Sequence, residues 1–209
     1  MNIMREEVPI RSFSVSAYLC IRDDDGGKIL LLERTSQYLN RTWQEISGLI
    51  EPRETAWEAA LREIKEETGL TPYRFYSADF VERFYESGQN VINLVPVFVG
   101  YVHDDAQVHL SEEHSDYMWV RSGAALEHLQ FSQQKEATIH VQRTFLDNEP
   151  SEYLRIVRFR QRQLKPAFCV QRTALSFFRT DDSVELLDGN LQEFFNHFLT
   201  ASWREDSQT

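Results

Sequence analysis

The chain has 209 residues, with 22 Lys+Arg against 33 Asp+Glu for a net charge of −11 at pH 7, and 42% of its residues are hydrophobic. This composition is globular and excludes collagenous, low-complexity and disordered classes; the negative charge opposes contact with a polyanion, so nucleic acid is not an expected partner. No apolar run reaches the roughly 18 residues of a membrane span, and the stretch from Met1 to Arg11 lacks a secretory pattern, so no membrane partner and a cytoplasmic location are expected.

Cys20 and Cys169 lie far apart without metal-ligand spacing, and both are expected to be reduced and half-buried. From Ser12 to Ile21 the chain alternates toward an apolar strand. It turns at Asp23-Asp24-Asp25-Gly26-Gly27 and resumes from Lys28 to Glu33, which predicts a hairpin. Thr42 to Glu51 ends at Pro52 and reads as a further strand. Glu54 to Thr68 places Trp57, Ala60, Leu61 and Ile64 at the spacing of one helical stripe, with Gly69 where a C-cap belongs. Phe75 to Phe84 and Val91 to Val102 read as strands around a polar turn, Tyr117 to Val120 as a short strand, and Ser132 to Phe145 as a second helix. Strands and helices do not alternate regularly, so an α/β sandwich around a mixed sheet (α+β) is expected rather than a doubly wound parallel fold.

On the first helix Glu63, Glu66 and Glu67 stand at i, i+3 and i+4 and share an arc of roughly 100° beside the apolar stripe. Like charges so placed destabilise a helix unless a counter-charge joins them, and hard divalent cations prefer such oxygen ligands. A solvated acidic face is the ordinary reading of three glutamates taken alone. The surroundings change it. Gly48 is followed after five residues by Glu54, and after seven more by Arg62-Glu63-Ile64-Lys65-Glu66-Glu67-Thr68-Gly69-Leu70. This series reproduces G-x5-E-x7-R-E-U-x-E-E-x-G-U and resembles the box of the Nudix hydrolases.

That resemblance implies a Nudix-type α/β/α sandwich over about Arg11 to Asp147 and Mg²⁺-dependent hydrolysis of a nucleoside diphosphate linked to another moiety, with Mn²⁺ as a substitute ion. It implies that Glu63, Glu66, Glu67 and the carbonyl of Ser47 hold the metal, that Arg62 orients the glutamates, and that Gly48, Glu54 and Gly69 shape the box. A further acid is usually recruited from outside it. The segment Glu113-His114-Ser115-Asp116-Tyr117-Met118-Trp119-Val120 resembles the E-H-x-x-Y-x-W-V run of hydrolases acting on nucleoside triphosphates. Glu113 is therefore the candidate, with Glu112 as competitor and His114 as a residue of structural or basic role. Arg34 falls where family members carry a phosphate-binding arginine, and Trp43-Gln44 resembles the W-Q pair of dihydroneopterin triphosphate and dATP pyrophosphohydrolases. Trp43 would stack on a base or pterin, or pack in the core. Two departures stand out: Leu49 follows Gly48 in place of a second glycine, and Arg53 replaces the common small residue before Glu54.

After Asn148-Glu149-Pro150 the texture changes. From Tyr153 to Thr180 the chain carries Arg155, Arg158, Arg160, Arg162, Lys165, Arg172 and Arg179 and no acidic residue. Residues 1–149 are expected to form the hydrolase domain, and residues 150–209 a basic β-β-α extension that serves dimerisation or covers substrate. A homodimer is expected by resemblance alone. The leading reading is hydrolysis of a nucleoside or pterin triphosphate-like small molecule to the monophosphate and pyrophosphate. ADP-ribose, nucleotide sugars and diadenosine polyphosphates are alternative substrates. A metabolite-sensing regulator with a nucleic-acid-binding C-terminus is the alternative of another class, opposed by the intact box.

Overall fold

The sheet is built from strands whose two faces are both apolar, so helices must cover each side. In the computed structural model, which describes residues 7–24, 26–35 and 39–156, eight strands pair as one mixed sheet. They are β1 (Ile10–Arg11), β2 (Ser14–Ile21), β3 (Lys28–Arg34), β4 (Trp43–Gln44), β5 (Ile46–Leu49), β6 (Arg74–Glu86), β7 (Val91–Tyr101) and β8 (His114–Val120). Three α-helices accompany them: α1 (Ala56–Thr68), α2 (Ser122–His128) and α3 (Ser132–Val141).

The strand β2 organises the rest. Its residues 16–20 run parallel to β7, residues 14–17 pair antiparallel with β5, and Cys20 and Ile21 pair with β3 across the expected hairpin. Because successive side chains point to opposite faces, Val15, Ala17 and Leu19 pack with Ala59, Ala60 and Ile64 of α1. Tyr18 and Cys20 pack on the other face with Ala137, Val141 and Phe145. Each large side chain so buried stabilises by about 1.5–3 kcal/mol. The expected sandwich is therefore present, with α1 on one face and α2 and α3 on the other.

Several boundaries differ from expectation. The strand expected over 42–51 is interrupted at Glu45, whose carboxylate turns into the α3 face. The short strand expected from Tyr117 begins already at His114 and pairs with β3 along Ile29–Arg34. The α2 helix and the two-residue β1, which runs parallel to β7, had no periodicity long enough to show. The second helix keeps α geometry to Val141 and continues as a π-helical turn over Gln142–Leu146. The pairing of β6 with β7 slips between Ser77 and Val81, opposite Pro96, which has no N–H to offer a ladder. Cys20 is fully buried rather than half-buried, and burial keeps its thiol protonated.

The described chain ends against β6, with the Ile156 amide donating to the Phe75 carbonyl at 2.8 Å and Arg155 bridging Tyr76. The expected β-β-α extension, Cys169 and the arginines from Arg158 onward lie outside the described residues. No helix among the described residues is long and apolar enough to cross a membrane.

Candidate active site

The helix α1 starts at a capping box that the Thr55-x-x-Glu58 spacing carries: the Thr55 amide and hydroxyl both donate to Glu58 Oε2, at 2.9 and 2.7 Å. It ends at Gly69, whose φ of +70° gives the left-handed cap, with its N–H on the Lys65 carbonyl. These two ends fix the rotation of the helix, and the three glutamates follow from it. Their arc is not wholly solvent-facing: Glu67 is buried at 4% exposure, Glu63 is largely covered, and Glu66 is open. The arc straddles the boundary between the apolar stripe and water, and its inner edge meets β5.

Gly48 makes that meeting possible. It lies in β5 opposite Val15, where its backbone is ordinary, and the demand for glycine comes from the neighbour: a Cβ here would stand 2.0 Å from the Glu63 carboxyl carbon. The requirement is thus close approach by a glutamate rather than an unusual backbone angle.

Arg62 gathers the acids around itself. Its guanidinium donates in bidentate fashion to Glu54 at 3.0 and 3.1 Å, to Glu63 Oε1 at 2.7 Å, to Glu66 Oε2 at 2.9 Å and to the Leu49 carbonyl at 2.8 Å. Five N–H groups thereby find acceptors on the helix and on the chain leaving β5. Glu54 also accepts from the Glu51 amide at 3.0 Å, and the arginine beside it holds its carboxyl below the ordinary range. The Leu49 side chain is exposed, and what the site uses at that position is the backbone carbonyl.

Glu67 has no such partner. Burial pushes its carboxyl up to about 9, the charges of Glu63 and Glu113 adding to the rise, while the Ser47 amide and the Arg34 charge oppose it. The Ser47 N–H is its hydrogen-bond donor, and its Oε2 atom is sealed from solvent without a hydrogen bond. His114 Nε2 lies 3.8 Å from that oxygen, too far to bond, and burial lowers the imidazole pKa so that it is neutral.

The turn that carries Glu113 is tied to the same helix end. The Ser111 amide donates to the Glu67 carbonyl at 3.3 Å, and Thr35 donates from its amide to the Glu113 carbonyl at 2.9 Å and from its hydroxyl to the Glu112 carbonyl at 3.1 Å. Both acids are exposed, and Glu113 is the one whose charge is felt at Glu63 and Glu67. Arg34, at the end of β3, donates to Gln44 Oε1 at 3.5 Å, and Gln44 donates to Ser47 Oγ at 3.3 Å. Trp43 is half-buried on the α3 face, with its ring edge-on to His128 at 6.0 Å between centroids.

The structure therefore brings Ser47, Gly48, Glu54, Arg62, Glu63, Glu66, Glu67, Arg34 and Glu113 to one place, with Trp43 and Gln44 on the adjoining strand. Among the described residues no three His, Cys, Asp or Glu side chains already converge as a ligand set, because Arg62 draws Glu63 and Glu66 to itself. The donor chemistry nonetheless fits a hard divalent cation: carboxylate oxygens, crowded like charges, and one buried carboxyl oxygen that nothing in the protein satisfies.

A family model described as the NUDIX domain matches residues 13–141. The asymmetrical bis(5'-nucleosyl)-tetraphosphatase of Rattus norvegicus is 32% identical over 114 residues, covering 52% of this chain and 75% of that one. The protein of the same description from Caenorhabditis elegans is 29% identical over 94 residues, 44% of this chain and 68% of that one. Among solved structures, the MutT protein of Methanosarcina mazei Go1 superposes with a TM-score of 0.53 at 29% identity, over 66% of this chain and 97% of that one.

Proposed function

The chain belongs to the Nudix family and is a pyrophosphohydrolase, and from that premise we propose that it hydrolyses a nucleoside or pterin triphosphate to the monophosphate and pyrophosphate with Mg²⁺. The observation that carries the reading is Glu67: a buried carboxyl with an unsatisfied oxygen, set among the charges of Glu63 and Glu113. A site in that condition gains most from a cation. In the proposed arrangement Glu63, Glu66, Glu67, Glu113 and the Ser47 carbonyl hold Mg²⁺, with Mn²⁺ as a substitute. When bound, the ions neutralise the diphosphate and supply Lewis acidity for the attack of water.

The remaining work falls to the chain's own groups. Arg62, fixed by Glu54, holds Glu63 and Glu66 in place until the ions compete for them. Arg34 contributes positive charge where the phosphates enter, and its planar fork suits a phosphate oxygen pair. Trp43 and Gln44 form β4, just before Ser47 of β5, and Gln44 donates to Ser47 Oγ at 3.3 Å, which supports their assignment to the ring of the substrate. His114 is buried beside Glu67, with its Nε2 3.8 Å from Oε2.

A second substrate class has specific support: the relatives from Caenorhabditis elegans and Rattus norvegicus are both described as bis(5'-nucleosyl)-tetraphosphatases. Product analysis separates the two. Incubation with triphosphates and with diadenosine tetraphosphate, resolved by anion exchange, is expected to give monophosphate and pyrophosphate from the former at the higher kcat/KM. Preferential release of AMP and ATP from diadenosine tetraphosphate would transfer the assignment to the second class.

A further inference from the structure

The strand β8 brings to the acidic cluster a side chain that regular alternation would send to the other face of the sheet. Trp119 packs against the α1 side of the core, and Met118 and Val120 against the α3 side. Strict alternation would place residue 114 with Met118, facing α3. The pairing with β3 slips by one residue instead: Glu33 faces Asp116 while Arg34 faces His114, so Ser115 is an extra residue in β8. Ser115 stays exposed, and its hydroxyl donates to Glu33 Oε2 at 2.6 Å. A bulge of this kind re-aims the side chain beyond it. His114 accordingly turns toward α1, where its Nε2 lies 3.8 Å from Glu67 Oε2.

Each member of that pair lacks what the other supplies. The His114 side chain is 1% exposed, and neither Nδ1 nor Nε2 has a hydrogen-bond partner. A neutral imidazole carries one N–H and one lone pair, so a sealed donor is left unused. Glu67 Oε2 is a sealed acceptor, equally unused. Unmet buried groups are costly, and a donor and an acceptor side by side answer each other. The separation exceeds an ordinary hydrogen bond by about 0.8 Å. The last torsion of a glutamate, broad and two-fold, closes such a gap without moving the backbone. The backbone itself is tied: the Ser111 amide donates to the Glu67 carbonyl and the His114 amide to the Ser111 carbonyl, both at 3.3 Å. In the same turn Ser111 Oγ is also sealed without a partner, a hydroxyl suited to the remaining lone pair of the ring.

We propose that His114 is a positioning residue for Glu67: its Nε2–H donates to Oε2 when the glutamate serves as a metal ligand, and so fixes the direction in which the carboxylate presents its other oxygen. The inference rests on the reading of Glu63, Glu66 and Glu67 as ligands of a divalent cation. A ligating carboxylate is ionised and can only accept hydrogen bonds. The donors behind it set its orientation and strengthen its hold on the ion. Arg62 spends its N–H groups on Glu54, Glu63, Glu66 and the Leu49 carbonyl, and the Ser47 amide is the donor Glu67 already has. His114 is the side-chain N–H that reaches the sealed oxygen. One bulged strand end thus delivers two groups to the site, Glu113 as an acid and His114 as a donor.

Two readouts other than turnover test this on the full-length protein. Binding of Mn²⁺ without substrate, followed by the EPR signal of the free ion, is expected to weaken about tenfold or more in His114→Phe, as loss of such a partner requires. His114→Gln keeps an N–H at similar reach and is expected to stay within about threefold of the wild type. A space-filling role predicts the opposite order, since the phenyl ring replaces the volume of the imidazole and the amide does not. In the Mg²⁺-loaded wild-type protein, ¹⁵N NMR of the ring is expected to show the proton on Nε2. A bare Nε2 with the proton on Nδ1 overturns the proposal, whether or not the variants fold. Folded His114→Phe that binds Mn²⁺ as tightly as the wild type also overturns it, and triphosphate turnover by the wild type would then leave the hydrolase reading in place. The expected order of Mn²⁺ affinities in a protein that turns over no triphosphate would support the positioning role and remove the hydrolase reading.

Discussion

The carboxyl of Glu63 rests on the bare backbone of Gly48, where a Cβ would approach within 2.0 Å of its carboxyl carbon. Gly48→Ala must therefore move Glu63 off β5 and break its 2.7 Å contact with Arg62. Displacement of a ligand by about an ångström costs roughly 100-fold in rate, so kcat/KM is expected to fall by about that factor while the thermal melt stays cooperative. Steady-state kinetics beside a melting curve checks this.

Glu66→Gln and Glu67→Gln are expected to lower kcat by orders of magnitude while leaving the fold intact. Glu66 is open and burial favours the neutral form of Glu67, so neither amide is expected to disturb packing. A loss below about tenfold in both would contradict their assignment as ligands.

On the sheet face opposite α1, Glu82 of β6 is buried, with Ser16 Oγ donating to its Oε2 at 2.9 Å, and its carboxyl gives a pH signature in metal-free protein. Burial pushes Glu82 up to about 8 from an ordinary 4.5, so the folded state resists an ionisation that the unfolded chain accepts. The stability linked to the neutral carboxyl is full below about pH 4.5, declines above it, and is lost as pH rises through about 8. Glu82→Gln should flatten this decline and stabilise the protein at pH 8 by about 1–3 kcal/mol. Urea unfolding in EDTA at pH 5 and pH 8 reads the difference; an unchanged slope would show that Glu82 ionises freely in the fold.

Arg53 occupies a φ of +75°, a region that costs a side chain about 1–2 kcal/mol. This explains why a small residue is common there, and it predicts that Arg53→Gly stabilises by about 0.5–1 kcal/mol after the entropy of glycine is counted. Chemical denaturation of the two proteins measures it.

The acidic half of the candidate site was legible in the sequence because its parts lie within one helix and the chain before it, where spacing fixes geometry: Gly48, Glu54, Arg62, Glu63, Glu66 and Glu67 are close along the chain. The burial of Glu67 was not, since the arc from Glu63 to Glu67 looks uniform until the helix is docked on β5. Glu113 and Arg34 were legible only through resemblance, and their approach depends on the pairing of β3 with β8. The contact of Glu45 with Glu82 through Ser16 left no sequence signal: residues from the break between β4 and β5, from β6 and from β2 meet only after β5 and β7 flank β2 and β6 joins β7. Likewise β1 and α2 are too short for a periodic pattern, and the slip of β6 opposite Pro96 appears only when register is known.

The most direct test of the central claim is release of pyrophosphate by the full-length protein from a panel of nucleoside triphosphates and dihydroneopterin triphosphate, with Mg²⁺ and with EDTA, beside Glu67→Gln. Metal-dependent release from the wild-type protein, abolished by EDTA and reduced by orders of magnitude in the variant, is the predicted result. Folded protein that releases no pyrophosphate from any member, or releases it equally in EDTA, would contradict the account.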